Sequence, residues 1–289
     1  MTVCEQPDRS FVGIGDHISH SQVTQYGMCS LKWWFSKNFL PDHVPVVLIF
    51  GRAIHAGIEV FYQQRLRGSE ATIDDMMSAF DQVFAEERTP IQYGAKESVE
   101  SLRDKAGQMF QTVLDNIQPS TVLAIEQPFR IRLSDDIPDV LGYIDLIEIV
   151  ETDDGPVIEL VDWKTAAKKQ NDMPADQLHL YEMAVQATGL VKDFDLPIRL
   201  GFRVITKTKN PDFQILNVES SAQQQERLKA KMGACVKGMK AGIVYPNPGW
   251  QCGSCPFKRH CAVWPDVDSI ADTFPRKTRG HNQNKTVQI

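Results

Sequence analysis

The chain has 289 residues, a net charge of −6 and an ordinary globular composition, with 42% hydrophobic and 24% charged residues. This length allows one large domain with a sizeable core. The acidic balance argues against nucleic-acid binding by a basic field over the whole surface, although it leaves room for a local basic groove. The N-terminus lacks a secretory signal, and no run of about 18 apolar residues is present. We therefore expect a cytoplasmic protein, in an intracellular and reducing compartment, with no membrane partner.

The first half of the chain is predicted to be mostly helical. The stretch SQVTQYGMCSLKWWFSKN begins at Ser21 and follows Ser19, and serine is a residue type that favours helix N-caps. Further along, apolar residues recur at helical spacing with charged residues on the other faces, which predicts helices over residues 47–66, 72–88 and 96–117.

The periodicity changes in the middle of the chain. Segments rich in β-branched residues predict strands over residues 121–133, 139–150 and 156–165, and TDDG (152–155) predicts a hairpin between the last two. The remaining pattern predicts a helix over 174–189, strands over 197–208 and 212–220, and a long helix over 221–242. This order predicts an α/β fold with a mixed central β-sheet flanked by helices.

Two aspartates interrupt strands that are mostly apolar. Asp145 lies in LGYIDLIEIV, and Asp162 lies in LVDWKTA, where Lys164 follows on the same face of the strand. The predicted hairpin makes the two strands antiparallel neighbours, so we expect the aspartates to converge. Burying carboxylates is costly unless something compensates them, and Mg²⁺ or Mn²⁺ prefers such oxygen ligands. A metal beside a lysine suits phosphodiester hydrolysis.

Each of these features has an ordinary structural explanation when it stands alone. A D-x-K motif is most often a salt bridge at a strand end. A helical histidine such as His55, with Glu59 one turn later, is more often a core or surface residue than a ligand. Gln177 and Tyr181, at i and i+4 on the next predicted helix, indicate only a shared helix face. The functional argument therefore depends on the ordered combination.

Taken together in chain order, these residues form a pattern that resembles that of the RecB-like branch of the PD-(D/E)xK nuclease superfamily. The family pattern is a helical histidine, G-x-x-D, D-x-K and Q-x-x-x-Y, which here are His55, Gly142 with Asp145, Asp162 with Lys164, and Gln177 with Tyr181. The opening segment ISHSQVTQYGMCSLKWWF is also similar to that of the family, although Ser30 stands where proline is usual. The resemblance covers residues 18 to 262 and implies a restriction-endonuclease-like core and a metal-dependent DNA exonuclease.

The resemblance also implies the roles of the central residues. His55, Asp145 and Asp162 would bind Mg²⁺ or Mn²⁺ together with the backbone carbonyl of Trp163. Asp145, Asp162 and Lys164 would be catalytic. Asp162 stands where many relatives carry glutamate, and its shorter reach affects the metal geometry.

DNA contacts are predicted at two places. The resemblance implies that Gln177 and Tyr181 contact the DNA backbone or support the site. A basic and aromatic run beside Cys29, on which single-stranded bases can stack, consists of Lys32, Trp33, Trp34 and Lys37. Packing of the tryptophans inside the protein is the competing explanation, and we favour it for at least one of them. The expected substrate is DNA, single-stranded or at ends.

The cysteines indicate a second metal centre. Three of the six lie in WQCGSCPFKRHC with the spacing C-x2-C-x5-C, and in a reducing compartment such clusters are more often metal ligands than disulfides. The chain resembles the iron–sulfur CRISPR-associated exonucleases of the Cas-four family, their phage-encoded relatives and AddB-type helicase–nuclease subunits. This resemblance implies a [4Fe–4S] cluster on four cysteines: Cys29, Cys252, Cys255 and Cys261. Zinc also suits four thiolates and stays open as the alternative.

The predicted organisation is one nuclease domain over residues 18–265, between a flexible N-terminus (1–17) and a disordered basic tail (266–289). Within the domain, residues 18–40 and 242–265 form the iron–sulfur lobe, called the cysteine lobe below. The cluster would tie its two segments together and so close a very long loop.

Two other functions stay open at the level of sequence. A non-catalytic DNA-binding or accessory subunit would work with a helicase, a recombinase or a CRISPR-adaptation integrase, and it predicts DNA binding without turnover. A zinc-stapled structural protein would keep Asp145 and Asp162 as buried salt bridges, and it predicts a colourless protein. No Walker motif is present, so any unwinding would come from a partner.

Overall fold

The computed structural model describes residues 13–277, so the predictions for residues 1–12 and 278–289 lie outside the described residues. A mixed six-stranded sheet forms the centre of the molecule. Its strands are β1 (His17–Ile18), β4 (Thr121–Ile131), β5 (Asp139–Thr152), β6 (Gly155–Ala166), β7 (Ile198–Thr206) and β8 (Phe213–Val218). A separate pair consists of β2 (Val44–Pro45) and β3 (Ile91–Gln92). The predicted α/β fold with a mixed sheet is confirmed.

Strand β5 organises the sheet. On one edge, β5 pairs with the antiparallel strand β4. On its other edge, the start of β5 pairs with the parallel strand β1, and its second half pairs with the antiparallel strand β6. The turn between β5 and β6 is the predicted hairpin, in which Thr152 faces Gly155 at a φ of +107° that suits glycine. β7 lies parallel to β6, which requires a crossover, and α6 (Asp176–Thr188) supplies it. β8 closes the sheet antiparallel to β7.

Helices cover both faces of the sheet. One face carries α3 (Val46–Leu66), α4 (Ile73–Glu86) and α5 (Val99–Asn116). The other carries α1 (His20–Met28), α6 and α7 (Ala222–Lys240). Among residues 13–277, α3 is the helix long and apolar enough to cross a membrane, but half of its apolar window is buried. It packs as a core helix of a globular domain.

The predicted helix over residues 21–38 is in fact two helices. α1 ends at Met28 and α2 (Ser30–Asn38) begins at Ser30. Cys29 separates them because its backbone is extended, with φ −161° and ψ 104°. The Cys29 sulfur accepts a hydrogen bond from the Lys32 amide at 3.5 Å and so acts as the N-cap of α2. Cysteine is not among the usual N-cap residues, so the sequence gives no sign of this break.

A third and smaller core joins the two ends of the chain. Leu31 and Phe35 of α2 pack with Phe257 and Phe274, next to α8 (Lys258–Val263) and α9 (Val267–Thr273). α9 lies in the segment predicted to be a disordered tail, and that prediction is wrong for the described residues. The helix forms because the Asp266 side chain caps it by accepting a hydrogen bond from the amide of Ser269, and because Ile270 is fully buried. β1 likewise begins inside the predicted flexible N-terminus.

Candidate active site

The candidate site lies where β5 and β6 separate. Their pairing ends at Leu146 opposite Val161, so the next position on each strand carries Asp145 and Asp162. From this point β6 continues beside β7, whereas the start of β5 lies beside β1. The two carboxylates therefore lie side by side at the point where the sheet opens.

Asp145 is held from three sides. The Trp163 amide donates a hydrogen bond to Asp145 Oδ2 at 2.9 Å, and the Tyr181 hydroxyl donates to Oδ1 at 3.1 Å. His55 Nδ1, reaching across from α3, lies 3.6 Å from Oδ2. The side chain is thus oriented by groups from β6, α6 and α3, which meet only at this point.

Asp162 is fully buried and forms an ion pair with Lys164. Lys164 Nζ lies 2.5 Å from Asp162 Oδ2. Oδ1 lies 3.3 Å from the Tyr181 hydroxyl. Burial raises the pKa of Asp162 to about 7, and Asp145 adds to the rise while Lys164 opposes it. A buried carboxylate in this state is well prepared to receive a cation.

A chain of hydrogen bonds links the lysine to the carboxylates. Lys164 Nζ donates to Gln177 Oε1 at 3.1 Å, and Gln177 Nε2 donates to the Tyr181 hydroxyl at 2.8 Å. Burial, and then the nearby Asp145 and Asp162, raise the pKa of Tyr181 well above its usual value, so the phenol keeps its proton. With one proton, Tyr181 donates to either aspartate in turn. The i, i+4 pair on α6 therefore supports both sides of the site.

His55 is held in the form that binds metals. Removal from water lowers the pKa of His55, the nearby Lys164 lowers it further, and Asp145 opposes the shift. The imidazole is therefore neutral at pH 7, as a metal ligand must be. Glu59, one turn later on α3, lines a small pocket together with His55 and Asp145. Its carboxylate accepts a hydrogen bond from the Gln63 side chain at 2.8 Å.

The structure adds a residue that the sequence reasoning missed. Glu126 on β4 offers a ligand atom that lies within 4.8 Å of those of His55 and Asp145, a grouping able to hold a metal ion. Its backbone has a φ of +46°, a strained value for glutamate, and such strain clusters at functional sites. One signal was available, because Glu126 is a carboxylate inside the apolar strand TVLAIEQPF. Its position beside Asp145 requires the β4–β5 register, which the sequence does not reveal.

Comparison with known families decides the identity of the fold. The family model of the PD-(D/E)XK nuclease superfamily matches residues 17–262. The chain belongs to this superfamily. The predicted superfamily is thereby confirmed, and membership supports a hydrolase that acts on nucleic acids.

Other comparisons are more distant. A comparison with curated proteins finds no match. Among solved structures, the nuclease is similar to a "Putative exonuclease" from Eubacterium rectale, with 12% identity over 85% of this chain and 88% of that chain and a TM-score of 0.49. It is also similar to SSO0001, with 13% identity over 83% of this chain and 94% of that chain and a TM-score of 0.34. Neither likeness is close enough to carry an argument about substrate.

The glycine of the nuclease G-x-x-D motif has a packing role. A Cβ atom on Gly142 would lie 2.5 Å from the Phe129 ring, which covers this position of β5. The Phe129 ring in turn packs edge-on against Tyr181, with 6.3 Å between the ring centres. Gly142 thus lets Phe129 lie close to the strand and support the tyrosine that orients both aspartates.

The four predicted cluster cysteines of the nuclease line one cavity of about 200 Å³: Cys29, Cys252, Cys255 and Cys261. Lys32 lines the same cavity. Among residues 13–277, no three cysteine sulfurs all lie within 4.8 Å of one another. The four cysteines nevertheless meet at one place in the fold, around a shared cavity.

Trp33, a predicted DNA contact, is only 1% exposed and packs edge-on against Tyr26 at 5.4 Å. A nucleic-acid base cannot reach its ring. Trp33 as a DNA contact is corrected, because it faces the main core rather than the surface, and the packing explanation favoured for at least one tryptophan holds for it. Lys32, Trp34 and Lys37 stay proposed contacts.

Proposed function

We propose that this nuclease is a metal-dependent DNA exonuclease that acts on single-stranded DNA or on DNA ends. The observation that supports it best is the fully buried Asp162 beside Asp145, with Lys164 and His55 at the same opening of the sheet. These are the groups that metal-assisted phosphodiester hydrolysis uses. A salt bridge alone does not explain them, because Asp145 and His55 lie at the same opening beside the ion pair of Asp162 and Lys164.

The proposed cation ligands are His55, Asp145, Asp162 and the backbone carbonyl of Trp163, with Glu126 as an addition from the structure. Carboxylate oxygens with one imidazole suit Mg²⁺ or Mn²⁺. When bound, the cation polarises a phosphodiester oxygen and lowers the pKa of a water.

The residues of the chain then have distinct tasks. Lys164, tethered by Gln177 and Asp162, places its ammonium group against the phosphate where negative charge grows in the transition state. Gln177 and Tyr181 fix the lysine and the aspartates relative to each other. His55 stays neutral and contributes a nitrogen without competing for a proton.

We also propose a structural [4Fe–4S] cluster on the four cysteines. Four thiols around one cavity fit either a cluster or a single zinc ion. The cluster is proposed because the cysteine spacing resembles that of the iron–sulfur nucleases. The cluster would tie Cys29, at the start of α2, to the segment between Cys252 and Cys261.

The test is a nuclease assay on protein purified without oxygen. DNA labelled at the 5′ or 3′ end, single-stranded and duplex, is incubated with Mg²⁺, with Mn²⁺ or with EDTA. We expect stepwise shortening only with metal, from a brown protein that contains iron and sulfide in equal amounts. Intact DNA with folded, brown protein would refute the exonuclease. Binding without turnover would instead favour an accessory DNA-binding subunit.

A further inference from the structure

The cysteine lobe has a charge unlike that of the rest of the chain. Its two segments, residues 18–40 and 242–265, contain no aspartate or glutamate, whereas the whole chain has a net charge of −6. The same segments contain four basic residues, Lys32, Lys37, Lys258 and Arg259. Arg259 is paired with Asp42 at 3.7 Å, whereas Lys32 and Lys258 line the cavity of the cysteines. These two lysines form a local basic site of the kind that an acidic protein needs to bind a polyanion.

The lobe also exposes two large aromatic rings. Trp250 is 86% exposed and Tyr245 is 56% exposed. Among residues 13–277, neither ring packs against another aromatic ring, in contrast to Trp33 and Phe35 of the same lobe. A tryptophan carries a large apolar surface that is usually buried at least in part. Trp250 directly precedes Gln251 and Cys252, which line the cavity shared with Lys32 and Lys258, so its exposed ring suits a flat and negatively charged ligand.

The backbone that carries these rings is fixed. The amide of Tyr245 donates to the Ser30 hydroxyl at 2.9 Å, and its carbonyl accepts from the Leu31 amide at 3.2 Å. The Asn247 side chain donates to the carbonyl of Met28 at 2.9 Å, and the Gln251 side chain donates to the carbonyl of Asn247 at 2.7 Å. The rings are therefore presented from an ordered loop, which lowers the entropy cost of binding.

Helix α1 joins this surface to the active site. Its start follows β1, which pairs with β5, the strand that carries Asp145. At its end, Cys29 and Met28 contact the loop that carries the two rings. Nine helical residues span about 14 Å, which is roughly the length of four stacked nucleotides.

We propose that Tyr245 and Trp250 form a stacking platform for single-stranded DNA, on which bases stack while basic residues of the lobe contact the phosphates. This inference rests on the proposed nuclease function and specifies its substrate as a strand that extends from the active site along α1. The platform takes the role that the sequence assigned to Trp33. Exposed aromatics beside basic groups favour a single strand because every base has a face that can stack.

The test measures binding without turnover. Fluorescein-labelled oligothymidylates of about 4 and about 16 nucleotides are titrated in EDTA, with fluorescence anisotropy as the readout. The variants are Trp250→Ala, Trp250→Phe and, as a control, Phe194→Ala, which removes an aromatic ring that is 43% exposed outside the lobe. The iron content of each variant is compared with that of the parent, which shows that the lobe is intact.

We expect Trp250→Ala to bind the long strand roughly tenfold more weakly and the short strand as well as the parent does. Trp250→Phe keeps a ring and retains most of the affinity, and Phe194→Ala changes nothing. Unchanged affinity of Trp250→Ala for the long strand would overturn the proposal and assign the exposed rings to a protein interface. An equal loss on both lengths would overturn the placement of the platform beyond the active site. If DNA binding depends on Trp250 but the parent protein does not shorten DNA in Mg²⁺, the stacking platform is supported and the proposed nuclease function is refuted.

Discussion

Removing the charge of Asp162 should stabilise the metal-free protein. The substitution Asp162→Asn keeps the size of the side chain but removes a carboxylate that is fully buried and whose pKa is raised from 3.8 to about 7. That shift of about 3 pH units corresponds to about 4 kcal/mol of destabilisation by the charged form. The pKa of about 7 already includes the opposing attraction of Lys164, so the loss of this partner adds no separate cost. We expect a net gain of roughly 4 kcal/mol at pH 8.

The sign of the pH dependence follows from the raised pKa. Below about pH 4 Asp162 is protonated in both the folded and the unfolded protein, so asparagine and aspartic acid differ little. Between pH 4 and 7 the unfolded chain releases the proton and the folded protein keeps it, so the penalty grows with pH. Above pH 7 the full penalty is present. The advantage of Asp162→Asn therefore appears as the pH rises through this window and is greatest above it.

The assay is urea denaturation of both proteins in EDTA at several pH values between 4 and 8, with Asp136→Asn as the control for an exposed aspartate. Adding Mn²⁺ at about 100 times its Kd should stabilise the parent by about 2.7 kcal/mol and the variant by much less. If Asp162→Asn is less stable than the parent at pH 8 without metal, the buried carboxylate is already well compensated and the reasoning is refuted.

Three further predictions concern single residues. Glu126→Gln should weaken Mn²⁺ binding by about tenfold in calorimetry, whereas the exposed Glu151→Gln should not; equal affinities would remove Glu126 from the site. Gly142→Ala should cost about 1 to 3 kcal/mol of unfolding free energy, because the added methyl group meets a phenylalanine ring at 2.5 Å, and an unchanged denaturation midpoint would contradict this. Cys252→Ser should lose iron and lower the melting temperature, whereas Cys235→Ser should keep both; iron retained by the first variant would place the cluster elsewhere.

The central sheet and the paired aspartates could be predicted because local rules determine them. TDDG predicts a tight hairpin, and a hairpin fixes the register that puts Asp145 beside Asp162. Helical periodicity predicts that Gln177 and Tyr181, four residues apart, share one face of α6, and in the structure a hydrogen bond joins them. Both features depend on residues that are close in the sequence: the hairpin on its turn residues, and the Gln177–Tyr181 pair on one turn of a helix.

Features that depend on contacts between distant segments could not be predicted. Glu126 reaches the site only through the pairing of β4 with β5 and an unusual backbone angle. The helix break at Cys29 depends on its sulfur acting as an N-cap. Helix α9 forms because Ile270 packs in the same apolar cluster as residues of α2. Trp33 and Trp250 look alike in sequence, and only packing decides that the first is buried and the second exposed.

The most direct test of the proposed site is the single-turnover cleavage rate of Lys164→Ala on end-labelled single-stranded DNA, measured beside its affinity for Mn²⁺ and for DNA. The account predicts that the variant folds, binds metal and DNA as the parent does, and cleaves at least about a hundredfold more slowly, because only charge stabilisation in the transition state is lost. Cleavage at the rate of the parent would contradict the account, since the D-x-K lysine would then have no part in the chemistry.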